Sequence, residues 1–168
     1  HCRRRRTLTL STETGVAPLG PAPSVGAMPE NAVLEFDIVV IGGGFAGVYC
    51  TREAERALRR SENTRIALIA EENYMVFQPM LAEVAGGALS PRHVVNPLRL
   101  LCRRADILKG TVESIDWPGR TLTVFAGPLA GRVTGRFRQL VVALGAVIDL
   151  RRIPGMPEHA FLVQNVGD

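Results

Sequence analysis

The sequence predicts an α/β fold in which a parallel β-sheet is flanked by helices and followed by a β-meander. Two short, continuously apolar and β-branched segments are typical of strands buried on both faces. An amphipathic helical pattern lies between them, and further strand patterns follow that are separated by turns containing glycine and proline. With 168 residues, 46% of them hydrophobic, the chain can build one domain around one core.

The first βαβ unit begins with a strand predicted over residues 35–41 (EFDIVVI), which ends at a cluster of glycines. A helical pattern covers residues 44–60, with small and apolar residues on one side and charged residues mostly on the other. Residues 65–70 (RIALIA) form the second predicted strand. The unit has the usual size of a βαβ motif, so a right-handed crossover is expected.

A second helix is predicted after Ser90, because Ser90 is a suitable N-cap and Pro91 suits the first helical position. Its apolar stripe, which would cover the sheet, consists of Val94, Val95, Leu98, Leu101 and Cys102.

The remaining strand patterns lie in the second half of the chain. Residues 105–108 are the third predicted strand, and residues 111–115 and 122–125 form a meander around the turn Pro118-Gly119. Residues 139–144 (QLVVAL) are the last predicted buried strand, which ends at a glycine.

Charge and composition argue against several functional classes. Residues 1–27 contain four arginines against one acidic residue, so the rest of the chain is nearly neutral despite the net charge of +4, and no nucleic-acid partner is expected. No run of about 18 apolar residues is present, so no membrane-spanning helix is predicted. Cys2, Cys50 and Cys102 form no close pair, so neither a metal site nor a redox-active disulfide is expected.

Residues 42–47 (GGGFAG) match the pattern GxGxxG between a predicted strand and a predicted helix. Gly42 permits a tight turn, Gly44 lets the main chain approach a pyrophosphate, and Gly47 lets the helix pack on the strand. The helix N-terminus adds N–H groups and a partial positive charge. The motif therefore predicts a Rossmann-like dinucleotide-binding domain, the alternative being a merely flexible loop.

The same motif predicts an acidic side chain about 20 residues later, whose carboxylate accepts hydrogen bonds from ribose hydroxyls. Ala70 occupies that position, and Glu71 and Glu72 follow it. Glu71 is therefore the candidate ribose ligand from the next position. In the alternative, both glutamates form only a solvated turn.

The segment of residues 72–89 (ENYMVFQPMLAEVAGGAL) is more specific. It resembles the NxxxFxPLLxEVAxGxL motif of the type II NADH dehydrogenases, which belong to the FAD-dependent pyridine-nucleotide oxidoreductase superfamily. Further similar segments follow in family order, at residues 96–99, 110–116, 140–145 and 153–160. The resemblance covers about residues 36–168.

This resemblance implies that the bound dinucleotide is FAD. The residues that would face its pyrophosphate are Gly42, Gly43, Gly44, Phe45 and Ala46, with Gly47 completing the motif. Ala70 and Glu71 would lie beside the adenosine ribose, and Val112 would hold the adenine through its main chain.

At the other end of the cofactor, the resemblance places Gln78 and Pro79 beside the isoalloxazine ring, although the apolar residues around them are equally consistent with core packing. Ala143 and Gly145 match a strand end at which the chain passes close to the cofactor and turns back. An ordinary strand-ending turn is the alternative. No catalytic residue is predicted in this segment.

For the complete enzyme, the resemblance implies hydride transfer from NADH, the co-substrate, to FAD, followed by electron delivery to a quinone. The chain carries a single GxGxxG motif, so we expect an N-terminal fragment that is not catalytically competent alone. Peripheral attachment to the cytoplasmic side of the bacterial inner membrane is expected only through regions absent from this segment, which is itself expected to be soluble. A homodimer is one option for the assembly.

Other functions stay open at this stage. They are a sulfide:quinone oxidoreductase or a ferredoxin reductase of the same superfamily, a simple NAD-dependent dehydrogenase, and a non-catalytic nucleotide-binding fragment.

The chain is expected to divide into three parts. Residues 1–27 have no apolar periodicity and are predicted to be disordered or a non-native extension before a natural start at Met28, with an organelle transit peptide as the alternative. Residues 28–150 are predicted to form the first part of the FAD-binding Rossmann-like domain. Residues 151–168 are expected to lead toward an absent NADH-binding domain.

Overall fold

The computed structural model describes residues 33–61 and 63–166. The strands are β1 (Val33–Ile41), β2 (Ile66–Ala70), β3 (Tyr74–Val76), β4 (Val95–Pro97), β5 (Asp106–Lys109), β6 (Thr111–Asp116), β7 (Thr121–Phe125) and β8 (Arg132–Val142). The helices are α1 (Phe45–Ala57), α2 (Leu81–Ala85), α3 (Leu98–Leu101) and α4 (Met156–His159), and short 3-10 turns occupy Gln78–Met80, Pro91–His93 and Leu150–Arg152. The expectations for residues 1–27 and for Met28 lie outside the described residues.

Six strands form one mixed sheet in the order β5-β2-β1-β8-β7-β6. Strand β1 pairs in parallel with β2 and β8, and β2 pairs in parallel with β5. Strands β6, β7 and β8 pair antiparallel as a meander. The α/β fold with a parallel sheet, flanking helices and a meander is therefore confirmed.

The core lies on both faces of the central strands, because successive side chains of a strand point to opposite faces. On one face, Val39 and Ile69 pack with Phe137 and other side chains of the meander. On the other face, Val40 and Leu68 pack with residues of α1 and α3, among them Val48 and Leu98. The prediction that β1 and β2 are buried on both faces is confirmed.

The prediction of a helix after Ser90 is wrong. A 3-10 turn at Pro91–His93, strand β4 and the single turn of α3 occupy this stretch. Pro97 explains the break, because proline lacks an N–H donor and its ring clashes with the carbonyl group four residues earlier in a helix. Three residues of the predicted stripe are nevertheless buried, at Val94, Leu98 and Cys102.

The last predicted strand is correct in position but wrong in extent and burial. Strand β8 begins at Arg132, pairs with β7 through its first part and continues along β1 to Val142. The alternating arginines of its first part hide this length in the sequence. The side chains of Val142 and Leu144 are 52% and 71% exposed, because they emerge at the edge of the sheet, where the chain leaves β8.

Candidate dinucleotide-binding cavity

A cavity of about 950 Å³ opens at the edge where the carboxyl ends of β1, β2 and β8 meet. Open α/β sheets bind their ligands in this position. The lining comes from residues 41–46 after β1, 69–72 after β2, 110–115 of the meander and 142–146 after β8. The lining is completed by residues 74–76, Gln78, Gln164 and Asn165. The volume is in the range of cofactor sites, which is roughly 300–1,000 Å³.

Gly42 forms a turn that only glycine fits. Its φ of 113° is in a region that favours glycine, and a Cβ atom there would overlap the main-chain oxygen of Ala143. The Gly42 N–H donates to the carbonyl oxygen of Ile69 at 2.8 Å, and the Ala143 N–H donates to that of Ile41 at 2.8 Å. The turn is thus held between β2 and the end of β8.

The other glycines of the motif have different environments. A Cβ atom at Gly47 would overlap the carbonyl oxygen of Gly42, so α1 packs directly on the turn. A Cβ atom at Gly43 would approach that of Ala70 to 2.8 Å. At Gly44, by contrast, a Cβ atom would meet nothing within 4 Å among the described residues. The main chain at Gly44 is therefore open to a ligand.

The N-terminus of α1 faces this space. Gly44 is its N-cap and supplies no side-chain hydrogen bond, and the first turn contains no acidic residue. The first helical bond runs from the Val48 N–H to the Gly44 carbonyl oxygen at 3.0 Å, so the preceding N–H groups have no partner within the helix. Phe45 and Ala46 line the cavity, and these donors with the helix dipole suit an anion such as a pyrophosphate.

The structure separates the two glutamates that follow β2. Ala70 is buried, and its carbonyl oxygen accepts a hydrogen bond from the Gly110 N–H at 2.9 Å. The Glu72 carboxylate pairs with the Lys109 ammonium at 3.2 Å. Glu71 is exposed at the cavity wall and has no ion pair or hydrogen bond with any residue that the structure describes. Its carboxylate is available to a ligand.

Val112 lines the cavity from β6, next to a β-bulge at Glu113. The Glu113 carboxylate accepts two hydrogen bonds from the Arg132 guanidinium, at 2.6 Å and 3.0 Å. These bonds, with the positive charge of Arg132, hold the pKa of Glu113 below its usual value. This pair could not be predicted, because nothing in the sequence indicates that Arg132 lies opposite the bulge.

Ala143 and Gly145 line the cavity on the side of β8. Gly145 has a φ of 73°, and its Cβ position is open among the described residues. The Ala143 main chain lies against the turn at Gly42. Moving Ala143 away from this turn would break the hydrogen bond from its N–H to the Ile41 carbonyl oxygen. The strand end is thus part of the cavity wall.

Gln78 lines the cavity, and its Nε2 atom donates to the main-chain oxygen of Gln164 at 3.2 Å. Pro79 follows in the same 3-10 turn but is not among the lining residues. The Phe77 ring packs edge to face on Phe45, with 5.7 Å between the ring centres. Gln164 and Asn165 could not be predicted as lining residues, because they carry no motif and reach the cavity only where the chain turns back after α4.

Two further features concern the described residues outside this cavity. No group of three or more His, Cys, Asp or Glu side chains in residues 33–61 and 63–166 is placed to hold a metal ion. No helix in the same residues is long and apolar enough to cross a membrane.

Comparisons with known proteins are consistent with this geometry. The family model described as pyridine nucleotide-disulphide oxidoreductase matches residues 36–168. The type II NADH:quinone oxidoreductase Ndh of Mycobacterium tuberculosis is 32% identical over 112 residues, which cover 65% of this chain and 23% of that protein. The type II NADH:quinone oxidoreductase of Staphylococcus aureus is 28% identical over 131 residues, covering 77% and 31%. The chain therefore spans less than a third of the length of these relatives.

Solved structures show the same architecture. NDH2 from Plasmodium falciparum in complex with NADH superposes with a TM-score of 0.66 at 19% identity, covering 79% of this chain and 27% of that one. The sulfide:quinone oxidoreductase of Aquifex aeolicus gives 0.60 at 26% identity, covering 73% and 27%. The similarity to type II NADH dehydrogenases that residues 72–89 predicted is confirmed by the curated relatives, whereas the match at 19% identity shows the fold alone.

Proposed function

Because the chain belongs to the pyridine nucleotide-disulphide oxidoreductase family, we propose that it is the FAD-binding N-terminal part of an oxidoreductase that passes electrons from NADH through FAD to a quinone. The observation that carries this proposal is the cavity at the carboxyl edge of the sheet, which adjoins the open main chain at Gly44 and the N-terminus of α1. The curated relatives named type II NADH:quinone oxidoreductases support the choice of donor and acceptor.

The proposal assigns each part of the dinucleotide to residues of the lining. The residues proposed to hold the FAD pyrophosphate through their main chain are Gly42, Gly43, Gly44, Phe45 and Ala46. The adenosine ribose would lie beside Ala70, and its hydroxyl groups would donate hydrogen bonds to Glu71. The Val112 main chain would contact the adenine. Gln78, Ala143 and Gly145 would border the rest of the cofactor, with Pro79 behind Gln78.

When bound, FAD supplies a ring system that accepts a hydride and passes on two electrons. The contribution of this chain is to bind and orient that cofactor. Two of the cavity carboxylates, those of Glu72 and Glu113, are engaged by Lys109 and Arg132, so they neutralise cations of the protein itself. In addition, the first turn of α1 contains no acidic residue. No carboxylate there would compete with a phosphate for the main-chain donors near Gly44.

We further propose that residues 28–150 are the first part of the FAD domain and that residues 151–168 lead toward an NADH-binding domain. The chain alone would then bind FAD without catalysing the full reaction. In the complete enzyme, NADH and a quinone would be the partners at the cytoplasmic face of the bacterial inner membrane, with homodimerisation as one arrangement.

A sulfide:quinone oxidoreductase is the second candidate, because the Aquifex aeolicus enzyme shares the fold at 26% identity. Sulfide oxidation in that class is expected to need cysteines beside the flavin. Cys102 is buried beneath α1, with its sulfur 3.8 Å from the Val48 oxygen, and Cys50 lies within the same helix. Neither cysteine lines the cavity, which favours the NADH-dependent reaction.

The test compares the 168-residue chain with its extended reading frame for released flavin and for quinone reduction with NADH or sulfide as donor. We expect FAD and NADH-dependent quinone reduction in the extended protein, and no turnover by the 168-residue chain. Quinone reduction with sulfide but not with NADH would favour the second candidate. A colourless extended protein would leave a non-catalytic nucleotide-binding fold or an NAD-dependent dehydrogenase.

A further inference from the structure

Positive charge is concentrated on the layer formed by α1 and α3. Residues 49–61 and 98–105 contain seven arginines and two glutamates, and a third glutamate follows at residue 62. The rest of residues 28–168 contain nine basic and twelve acidic residues. The near-neutrality of residues 28–168 therefore combines a positive helical layer with a negative remainder. Such a distribution gives one surface a potential that attracts anions.

The two helices present this charge on one surface. Both pack on the same side of the sheet through buried residues such as Val48 and Leu98. The Arg104 N–H donates to the Glu55 carboxylate at 2.8 Å, which joins the loop after α3 to α1. The charged residues 52, 53 and 56 of α1 recur at helical spacing and are exposed, and so are residues 99, 100 and 103. We call the exposed residues within 49–61 and 98–105 the arginine face.

Most arginines of the arginine face have no acidic partner. Glu53 pairs with Arg56, and Glu55 is occupied by main-chain N–H groups of the loop after α3. Several exposed arginines form no ion pair with any residue in 33–61 and 63–166, namely Arg52, Arg59, Arg60, Arg99 and Arg103. Their guanidinium groups are therefore available to an external anion.

Two exposed apolar side chains lie among these arginines. Tyr49 is 55% exposed and Leu100 is 66% exposed, and the Arg52 guanidinium lies 5.7 Å from the centre of the Tyr49 ring. Guanidinium groups bind phosphates, and tyrosine is enriched where lipid headgroups meet acyl chains. A nucleic acid offers phosphates but no apolar layer for Tyr49 and Leu100. The combination therefore favours an anionic lipid surface.

We propose that the arginine face docks on a membrane surface that contains anionic phospholipid. The guanidinium groups would bind lipid phosphates, while Tyr49 and Leu100 would enter the layer between headgroups and acyl chains. Phe45, one helical turn before Tyr49, lines the cavity, so docking would bring one end of the cavity close to the lipid. This docking needs no cofactor and goes beyond the proposed function. It would add to any attachment by regions outside this segment.

The first test measures co-sedimentation of the 168-residue chain with vesicles of phosphatidylglycerol and phosphatidylcholine, or of phosphatidylcholine alone. The arginines at residues 3–6 would themselves attract anionic lipid, so every protein carries Arg3→Ser, Arg4→Ser, Arg5→Ser and Arg6→Ser. We expect this parent protein to bind the anionic vesicles and to bind the neutral vesicles far more weakly. Salt at about 1 M should release it, because the screening length is then only about 3 Å.

Two quadruple variants separate the arginine face from the overall charge. The variant of the face combines Arg59→Gln, Arg60→Gln, Arg99→Gln and Arg103→Gln. The control removes the same charge from exposed arginines elsewhere, through Arg120→Gln, Arg136→Gln, Arg151→Gln and Arg152→Gln. We expect the partition coefficient on anionic vesicles to fall at least about tenfold in the first variant and less than about threefold in the control.

The second test locates the contact and does not depend on how the quadruple variants fold. Trp117 is the single tryptophan of the chain, so Trp117→Phe gives a background in which one new tryptophan reports its own surroundings. In Leu100→Trp, anionic vesicles should shift the emission to shorter wavelengths, and brominated lipid should quench it. Leu129→Trp is the control, since Leu129 is fully exposed in the loop between β7 and β8 and should report no change.

Three results would each overturn the proposal: no binding of the parent protein to anionic vesicles, equal losses in the two quadruple variants, or unchanged emission in Leu100→Trp. Binding to duplex DNA or RNA but not to vesicles, lost in the variant of the face, would overturn it in favour of a nucleic-acid partner. A chain that docks through the arginine face but binds no FAD would support the docking and contradict only the proposed function.

Discussion

At the level of single residues, the glycines after β1 divide into those that the fold requires and one whose Cβ position is open, the residue proposed to contact the ligand. Gly42 and Gly47 lie where a Cβ atom would overlap main-chain oxygens, at Ala143 and at Gly42 respectively. Gly44 faces open space with a φ of −80°, which any residue can adopt. The sequence motif assigns each of these glycines a separate role, and the structure supplies the contacts that distinguish Gly42 and Gly47 from Gly44.

Gly44→Ala should therefore weaken FAD binding and leave the fold intact. The added methyl group would occupy the space in which a phosphate approaches the main chain, so we expect the Kd for FAD to rise at least about tenfold, or ~1.4 kcal/mol. The free energy of unfolding should change by less than about 1 kcal/mol, the scale of a change at an N-cap. Flavin fluorescence titration and urea unfolding measure the two quantities.

Two variants serve as controls for Gly44→Ala. Gly86→Ala adds the same methyl group at the end of α2, away from the cavity lining, and should change neither quantity appreciably. Gly47→Ala should lower the free energy of unfolding by about 1–3 kcal/mol, because α1 must move off the turn. Equal loss of stability in Gly44→Ala and Gly47→Ala would contradict the division between them.

Glu71→Gln should weaken FAD binding, because the variant removes the charged acceptor proposed for the ribose hydroxyls. A hydrogen bond to a charged group contributes about 1.5–3 kcal/mol, so the Kd should rise at least about tenfold. Glu72→Gln is the matched control, since the Glu72 carboxylate is paired with Lys109. Calorimetric titration that gives equal affinities for Glu71→Gln and the parent chain would refute the ribose assignment.

Cys102 should make stability depend on pH in the alkaline range. Burial of the thiol, with a smaller contribution from the Glu55 carboxylate, raises its pKa from 9.0 to about 11. The unfolded chain releases this proton more readily, so the stability is full below pH 9 and falls as the pH rises toward about 11. Between pH 8 and pH 10.5 the parent chain should lose about 1–2 kcal/mol more than Cys102→Ala. Parallel losses in the two proteins, measured by urea unfolding, would argue against this account.

At the level of elements, the connection between α1 and the start of β5 depends on one carboxylate. The Glu55 Oε1 atom accepts the N–H groups of Arg104 and Ala105 at 2.8 Å and 2.9 Å. The Arg104 guanidinium in turn donates to the carbonyl oxygens of Glu55 and Ser61. This network fixes the loop after α3 against the C-terminal half of α1.

Glu55→Ala should accordingly lower the free energy of unfolding by about 1–3 kcal/mol, because two loop N–H groups lose a charged acceptor. Glu53→Ala, which removes only an exposed pair with Arg56, should cost less than about 1 kcal/mol. Glu55→Gln keeps an acceptor oxygen and should recover part of the loss. Urea unfolding of the three variants decides, and equal values for Glu53→Ala and Glu55→Ala would count against the network.

Elements with a strong local pattern could be predicted from the sequence, and those set by distant contacts could not. Strands β1 and β2 and helix α1 follow from apolar runs and from amphipathic spacing. The stretch around Pro97 was misread because its apolar residues have helical spacing, although proline imposes the break into β4 and α3. The length of β8 could not be predicted, because residues 132–136 pair with β7 while residues 134–142 pair with β1, and no local pattern indicates these pairings.

At the level of the whole molecule, the candidate site is the meeting point of strand ends that are far apart in sequence. The glycine motif and the strand end at Ala143 were predictable, because parallel strands bring their carboxyl ends to one edge. The pairing of Glu113 with Arg132 and the return of Gln164 to Gln78 depend on tertiary packing, and no spacing in the sequence encodes them. The glycine turn and the strand end of the candidate site could thus be predicted from the sequence, but the tertiary contacts around them could not.

The most direct test of the central claim is a binding titration of the 168-residue chain with FAD, NAD⁺, FMN and ADP under the same conditions. The account predicts saturable binding of one FAD per chain, competition by ADP, and much weaker binding of FMN. The reason is that the lining residues are proposed to contact the pyrophosphate and the adenosine. FAD binding should also weaken in Gly44→Ala. Absence of saturable FAD binding, or preferential binding of NAD⁺, would contradict the assignment of this cavity to FAD.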